Sequence, residues 1–216
     1  MSIENKKYDC FPYIIPFLLF VVLNYLGLFT GVSEVFVYPA KTVVSIIVLG
    51  FIWKYVKNEI CLEFDFIALG GGIFVFLFWI GLEGVYPLIG NPVGFNPWEL
   101  SSGISVYILI AFRLFGASLV VPVIEELFWR SFALRFLIDT NFSKIKPGTF
   151  SLFSFVLVSI SFGFEHYRWL PGIIAGFVYA LCYYRTRNLF SPILSHATTN
   201  LLLGIYVLWS GQWSFW

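Results

Sequence analysis

The chain has 216 residues, 59% hydrophobic, 21% aromatic and 12% charged, with a formal net charge of +1. Soluble domains carry about 25% charged residues, so this composition excludes an ordinary water-soluble globule and points to an integral membrane protein. The near-neutral charge, without a basic patch, excludes a nucleic-acid partner. Three scattered cysteines, Cys10, Cys61 and Cys182, make neither a disulfide framework nor a CxxC metal pair.

Residues 1 to 10 are polar and include Lys6 and Lys7. Phe11 to Phe29 is apolar apart from Asn24, and no small-x-small cleavage site follows. It therefore predicts a first transmembrane helix rather than a signal peptide. Val43 to Val56 predicts a second span. Phe66 to Leu82 predicts a third, in which Gly70-Gly71-Gly72 allows close helix contact. Glu83 to Ser102 is a loop rich in Gly and Pro, expected at the membrane interface where Trp98 is at home. Ile104 to Leu137 is one apolar stretch, longer than the roughly 20 residues of an upright span, and a kink is expected at Pro122. Arg113, in its first half, requires an acceptor. A polar loop over Asp139 to Gly148 leads to a fifth span, Phe150 to Phe164, a short sixth, Pro171 to Tyr184, and a seventh, Pro192 to Leu208. Trp209 to Trp216 reads as an aromatic interface anchor.

These elements predict an all-α, polytopic transmembrane helical bundle of about seven spans, one membrane domain over residues 1–216 with no internal repeat. Lys54 and Lys57, then Arg135, Lys144 and Lys146, then Arg185 and Arg187 fall in alternate loops, while Lys41 and Arg168 go against the bias. Positive loops inside place the N-terminus in the cytoplasm and the C-terminus outside.

The chemistry centres on Val121-Pro122-Val123-Ile124-Glu125-Glu126-Leu127-Phe128-Trp129-Arg130. A charge at the bilayer centre costs about 2.5–3.5 kcal/mol on insertion scales, so two adjacent acids require a use or a partner. Glu126 and Arg130, four apart, share a helix face and can pair. Glu125 points about 100° away and has no local counter-ion, which suits a proton acceptor. The bland alternative is a structural ion pair with a spare acid in a polar crevice. His166 and His196 are the only histidines; either alone would read as a satisfied structural residue. His196 and Asn200 project from one helix face. Together these types suit hydrolysis by activated water: Glu125 and His166 hold the water and Glu125 takes its proton, while His196 and Asn200 donate to the oxyanion. There is no GxSxG and no HExxH. A zinc site from Glu125, His166 and His196 stays chemically open. One tension remains: His166 falls near the outer end of span five and His196 near the inner end of span seven, so they meet only if spans five and six stop short or tilt.

The patterns Glu-Glu-x-x-x-Arg (Glu125, Glu126, Arg130), Phe-x-x-x-His (Phe162, His166) and His-x-x-x-Asn (His196, Asn200) resemble the three motifs of the CAAX-protease and bacteriocin-processing (CPBP, or Abi) family of intramembrane glutamic endopeptidases. The resemblance covers Val121 to about Gly204, within a family-like core of about residues 104–208. It implies catalytic roles for Glu125, His166, His196 and Asn200, supporting roles for Glu126 and Arg130, and a metal-independent mechanism without a cofactor. Tyr38-Pro39-Ala40-Lys41, Phe95-Asn96-Pro97, Glu165-His166 and the Trp-rich end are similar to bacterial members found with exosortase sorting systems. That implies a multi-pass protein of a bacterial inner membrane acting on a protein or peptide substrate, lipidated or sorted by an exosortase system. Two other readings stand beside it: a non-enzymatic bacteriocin-immunity or scaffold protein, and a proton-coupled transporter. A transporter is expected to spread its acids along a path and to have repeated halves; neither is seen.

Overall fold

The computed structural model describes residues 10–92 and 94–216; Lys6 and Lys7 of the polar N-terminal stretch lie outside them. Among the described residues the chain is helical, without strands. Seven helices build the bundle: α1 (Phe11–Thr30), α2 (Glu34–Val56), α3 (Phe66–Gly81), α4 (Ile104–Phe136), α5 (Leu152–Phe164), α6 (Trp169–Thr186) and α7 (Phe190–Ser210). Local chemistry sets their ends. The Asp65 carboxylate accepts from the backbone of Ile67 (3.0 Å) and Ala68 (3.2 Å) at the start of α3, satisfying donors that a first helical turn leaves open. Gly31 and Gly211 take left-handed backbone after α1 and α7.

The helices α2, α4 and α7 are long and apolar enough to cross a membrane, and α3, α5 and most of α1 are shorter apolar helices. Leu18, Val22, Ile46, Ile47, Phe51, Leu77, Leu152, Phe153 and Ile205 present exposed side chains around the bundle, a surface that suits lipid and not water. The interior is packed by Leu127, Phe132, Leu134, Val158, Ala180, Tyr183 and Leu189. Gly72 makes close contact possible, as the glycine run predicts: a Cβ there would lie 2.3 Å from the carbonyl oxygen of Ser195. The Thr199 hydroxyl donates to the Gly72 carbonyl across this α3–α7 seam at 2.9 Å.

Three expectations change. The second helix starts at Glu34, not Val43, so Lys41 lies within it and its Nζ donates to Asn24 of α1; each polar side chain supplies the other's partner. The sixth helix is 18 residues long, not 14. Pro171 falls in its first turn, where a missing N–H costs nothing, so it does not mark the boundary. Pro122 does not break α4, which runs on for 33 residues. Instead the helix widens into a π turn over Gly116–Val120, and again over Leu127–Ala133.

Polar bonds gather in two rims. At the ends of α2, α4 and α6, Glu59 accepts from Tyr13 (2.7 Å), Ser131 (2.5 Å) and Arg135 (3.0 Å). Asp65 pairs with Arg185 and accepts from Ser191, and the Asn188 amide grips both backbone groups of Cys61. At the opposite ends Arg168 makes two 2.8 Å bonds to Glu83 and donates to the Ser214 carbonyl at 2.9 Å. Its guanidinium lies 3.9 Å from the Phe215 ring centre. Trp169 donates to the Pro87 carbonyl at 2.9 Å. This second rim ties the Glu83–Ser102 loop and the aromatic C-terminal segment over the mouth of the site.

Candidate active site

Glu125, His166, His196 and Asn200 line one cavity of about 350 Å³, walled at its mouth by Arg168, Ser214 and Trp216. The two imidazoles are not at opposite ends of the bundle. They flank a single phenyl ring, Phe162, at 5.1 Å from His166 and 5.9 Å from His196. The reason is the length of α5. Its 13 residues rise about 20 Å, so the turn that carries His166 descends into the bundle instead of emerging from it.

Glu125 is buried, accepts no hydrogen bond from another described residue, and lies 4.0 Å from Nε2 of His196. His166 Nδ1 lies 2.9 Å from the Phe162 carbonyl. A carbonyl only accepts, so that nitrogen carries the proton, and Nε2 of the neutral ring is left as an acceptor. Trp79 packs edge-on against this ring at 5.4 Å. The cavity thus contains two acceptors, the carboxylate of Glu125 and His166 Nε2, suited to the two hydrogens of a water molecule.

Glu126 and Arg130 do not line the cavity; they lie fully buried behind it. Their ion pair forms as the spacing predicts, Nε to Oε2 at 3.0 Å and Nη1 to Oε1 at 3.2 Å. Arg130 also donates to the Gly176 carbonyl at 3.3 Å and lies 4.3 Å over the Phe162 ring. Such coverage matters, because breaking a buried pair leaves an uncompensated charge. Glu126 Oε1 meets His196 Nδ1 at 2.9 Å, and Tyr179 stacks on the same ring at 4.9 Å. The ring is therefore fixed in position and orientation by residues on α4 and α6. With Glu126 Oε1 as the acceptor, Nδ1 carries a proton, and Nε2 donates only when the ring is doubly protonated.

Asn200 Nδ2 donates to the Ala117 carbonyl at 2.8 Å. That carbonyl is free because of the π turn. The Val121 N–H, its α-helical donor, bonds to Gly116 instead, and the donor one residue further on is Pro122, which has none. One N–H of the Asn200 amide is spent here; the other remains for the cavity.

Glu165 lines the same cavity and accepts from the Trp129 indole at 3.1 Å. Sequence reasoning noted it beside His166 without giving it a place in the site. Tyr179 and Trp79 have no sequence signal, since aromatic residues in apolar spans carry none of their own. Among the described residues no group of three His, Cys, Asp or Glu is placed to hold a metal ion. One ring nitrogen of each histidine is already engaged by Phe162 or Glu126.

Acids and imidazoles meeting in one cavity within an apolar helical bundle define a membrane-embedded polar site of the kind that supports proton transfer. Residues 107–202, somewhat under half of the chain, match the family model described as type II CAAX prenyl endopeptidase Rce1-like. This region, from the first turn of α4 into α7, holds all three motifs and is similar to the CAAX endopeptidase family. No curated protein and no solved structure matches the chain.

Proposed function

We propose that the protein is an intramembrane endopeptidase that hydrolyses a peptide bond of a membrane-associated protein or peptide without a metal. The observation that carries this reading is the buried carboxylate of Glu125, without a hydrogen bond from a described residue, in one cavity with His166, His196 and Asn200. A water molecule donates one hydrogen to His166 Nε2 and the other to Glu125. Glu125 removes that proton as the water oxygen attacks the substrate carbonyl carbon. The oxyanion is met by the free N–H of Asn200 and by Nε2–H of His196 as the imidazolium, with Glu126 as its counter-ion. On collapse the C–N bond breaks and Glu125 returns its proton to the leaving amine. The two acids divide the work: Glu125 moves a proton, while Glu126, held by Arg130, positions and balances His196.

The bundle suits seven spans, with the positive rim of Lys54, Lys57, Arg135, Lys144, Lys146, Arg185 and Arg187 in the cytoplasm and the mouth of the site on the other face of a bacterial inner membrane. Of Tyr38, Lys41, Phe95 and Glu165, which resemble the exosortase-associated subgroup, Glu165 lines the cavity, and Tyr38 and Phe95, tilted rings 6.0 Å apart, pack against its Arg113. That placement supports a sorted protein as substrate. The test is cleavage of a co-expressed membrane substrate by Glu125→Ala and His166→Ala, each expressed to the normal level. Loss in both variants, with activity of the parent untouched by a chelator, is expected. Full cleavage by either variant overturns the assignment.

A further inference from the structure

Four arginines of the bundle are matched with acids: Arg130 with Glu126, Arg135 with Glu59, Arg168 with Glu83 and Arg185 with Asp65. Arg113, on α4, is different. It lines the cavity, yet its guanidinium donates to no described residue, and its Nε is buried without a partner. Three aromatic rings hold it instead: Tyr38 at 4.4 Å, Phe95 at 5.2 Å and Trp216 at 6.0 Å. The Nζ of Lys41 lies 4.4 Å from the same Tyr38 ring. Among the described residues no carboxylate comes within ion-pair distance of either cation. Glu34, two turns before Lys41 on α2, acts on it only through space. The acceptor that Arg113 requires is not supplied by the described residues.

We propose that Arg113 receives a carboxylate of the substrate. The inference rests on the peptidase reading and adds a determinant of specificity to it. Arg113 precedes Ala117, the anchor of Asn200, by four residues, or about 6 Å along the helix. With the reach of the arginine side chain, a carboxylate there lies two or three residues from a carbonyl held at Asn200, since extended chain advances about 3.3–3.6 Å per residue. A guanidinium's planar fork fits a carboxylate with two parallel bonds. That carboxylate is either the end of the substrate chain or an Asp or Glu side chain.

Four probes distinguish these on the purified full-length protein in detergent: N-acetyl-leucyl-valine, its C-terminal amide, N-acetyl-aspartyl-valine amide, and inorganic phosphate. A ligand of the folded state raises the melting temperature; at ten times its Kd the rise is about 3–6 °C for a chain of this size. The free acid is expected to give this rise and its amide none. A rise with the aspartyl amide as well assigns the site to side-chain carboxylates; its absence assigns it to chain ends. Arg113→Gln abolishes the response while melting no lower than the parent, and Arg113→Lys, which keeps the charge but not the fork, retains a weakened one. Glu125→Gln keeps the full response although it no longer cleaves, which separates this site from the peptidase reading. Equal shifts with acid and amide, a response that survives in Arg113→Gln, or a larger shift with phosphate than with either acid overturns the proposal.

Discussion

Pro122 and Asn200, 78 positions apart, meet at one backbone oxygen: the Ala117 carbonyl that Pro122 cannot serve is the one to which Asn200 donates at 2.8 Å. Proline here supplies the free acceptor that orients a side chain on another helix. Pro122→Ala restores an N–H that competes for this acceptor. Activity is expected to fall about tenfold, the loss of one well-placed oxyanion donor costing a few kcal/mol at most. The melting temperature should hold or rise, since proline inside a helix is costly. A variant with unchanged turnover would separate the π turn from catalysis.

Arg130 and Glu126 should behave as a unit. Arg130→Met leaves a buried carboxylate uncompensated and is expected to lose about 3–5 kcal/mol of stability. Adding Glu126→Gln removes that charge and recovers much of the loss, but not activity, because His196 has then lost its counter-ion. Thermal melts in detergent beside cleavage assays read the two effects separately.

The α3–α7 seam offers a paired comparison. Gly72→Ala places a methyl group 2.3 Å from the Ser195 carbonyl oxygen, whereas a Cβ at Gly70 meets nothing within 4 Å. Overpacking costs about 1–3 kcal/mol, so Gly72→Ala should melt clearly below the parent and Gly70→Ala at or near it.

Asp65 sets a pH dependence. Burial would raise its carboxyl, but the hydrogen bonds from Ser191 and the Ala68 backbone, with the charge of Arg185, outweigh it and hold it below the ordinary 3.8. A carboxyl depressed in the folded state stabilises above its unfolded value and loses that contribution as the pH falls through the folded one. Melting of the parent should therefore drop below about pH 4 by more than that of Asp65→Ala, which lacks the cap and should melt lower at neutral pH by about 1 kcal/mol.

What the sequence made legible was local. Four-residue spacing predicts the Glu126–Arg130 pair and the shared face of His196 and Asn200, and the apolar runs predict the helices. The contact of Glu126 with His196, across 70 positions, is not encoded in any spacing. Nor is the carbonyl that Asn200 takes, because a π turn arises from what packs beside it. The apolar run predicts a short fifth span ending at Phe164, as found, but not how close the turn after it brings His166 to His196. Arg113 reads correctly as a cation short of an acceptor, but the aromatic rings around it come from α2, a loop and the last residue of the chain.

The brevity of α5 has a consequence for the surrounding membrane. As the fifth span of the proposed topology, a helix rising about 20 Å would sit in a hydrocarbon layer of about 30 Å; Leu152, Phe153 and Phe164 on it are exposed. Lipid beside it must compress to match. On the proposed peptidase reading, the bilayer would then be thinnest against the wall that carries His166, and a substrate amide would cross the least oil on its way to the site.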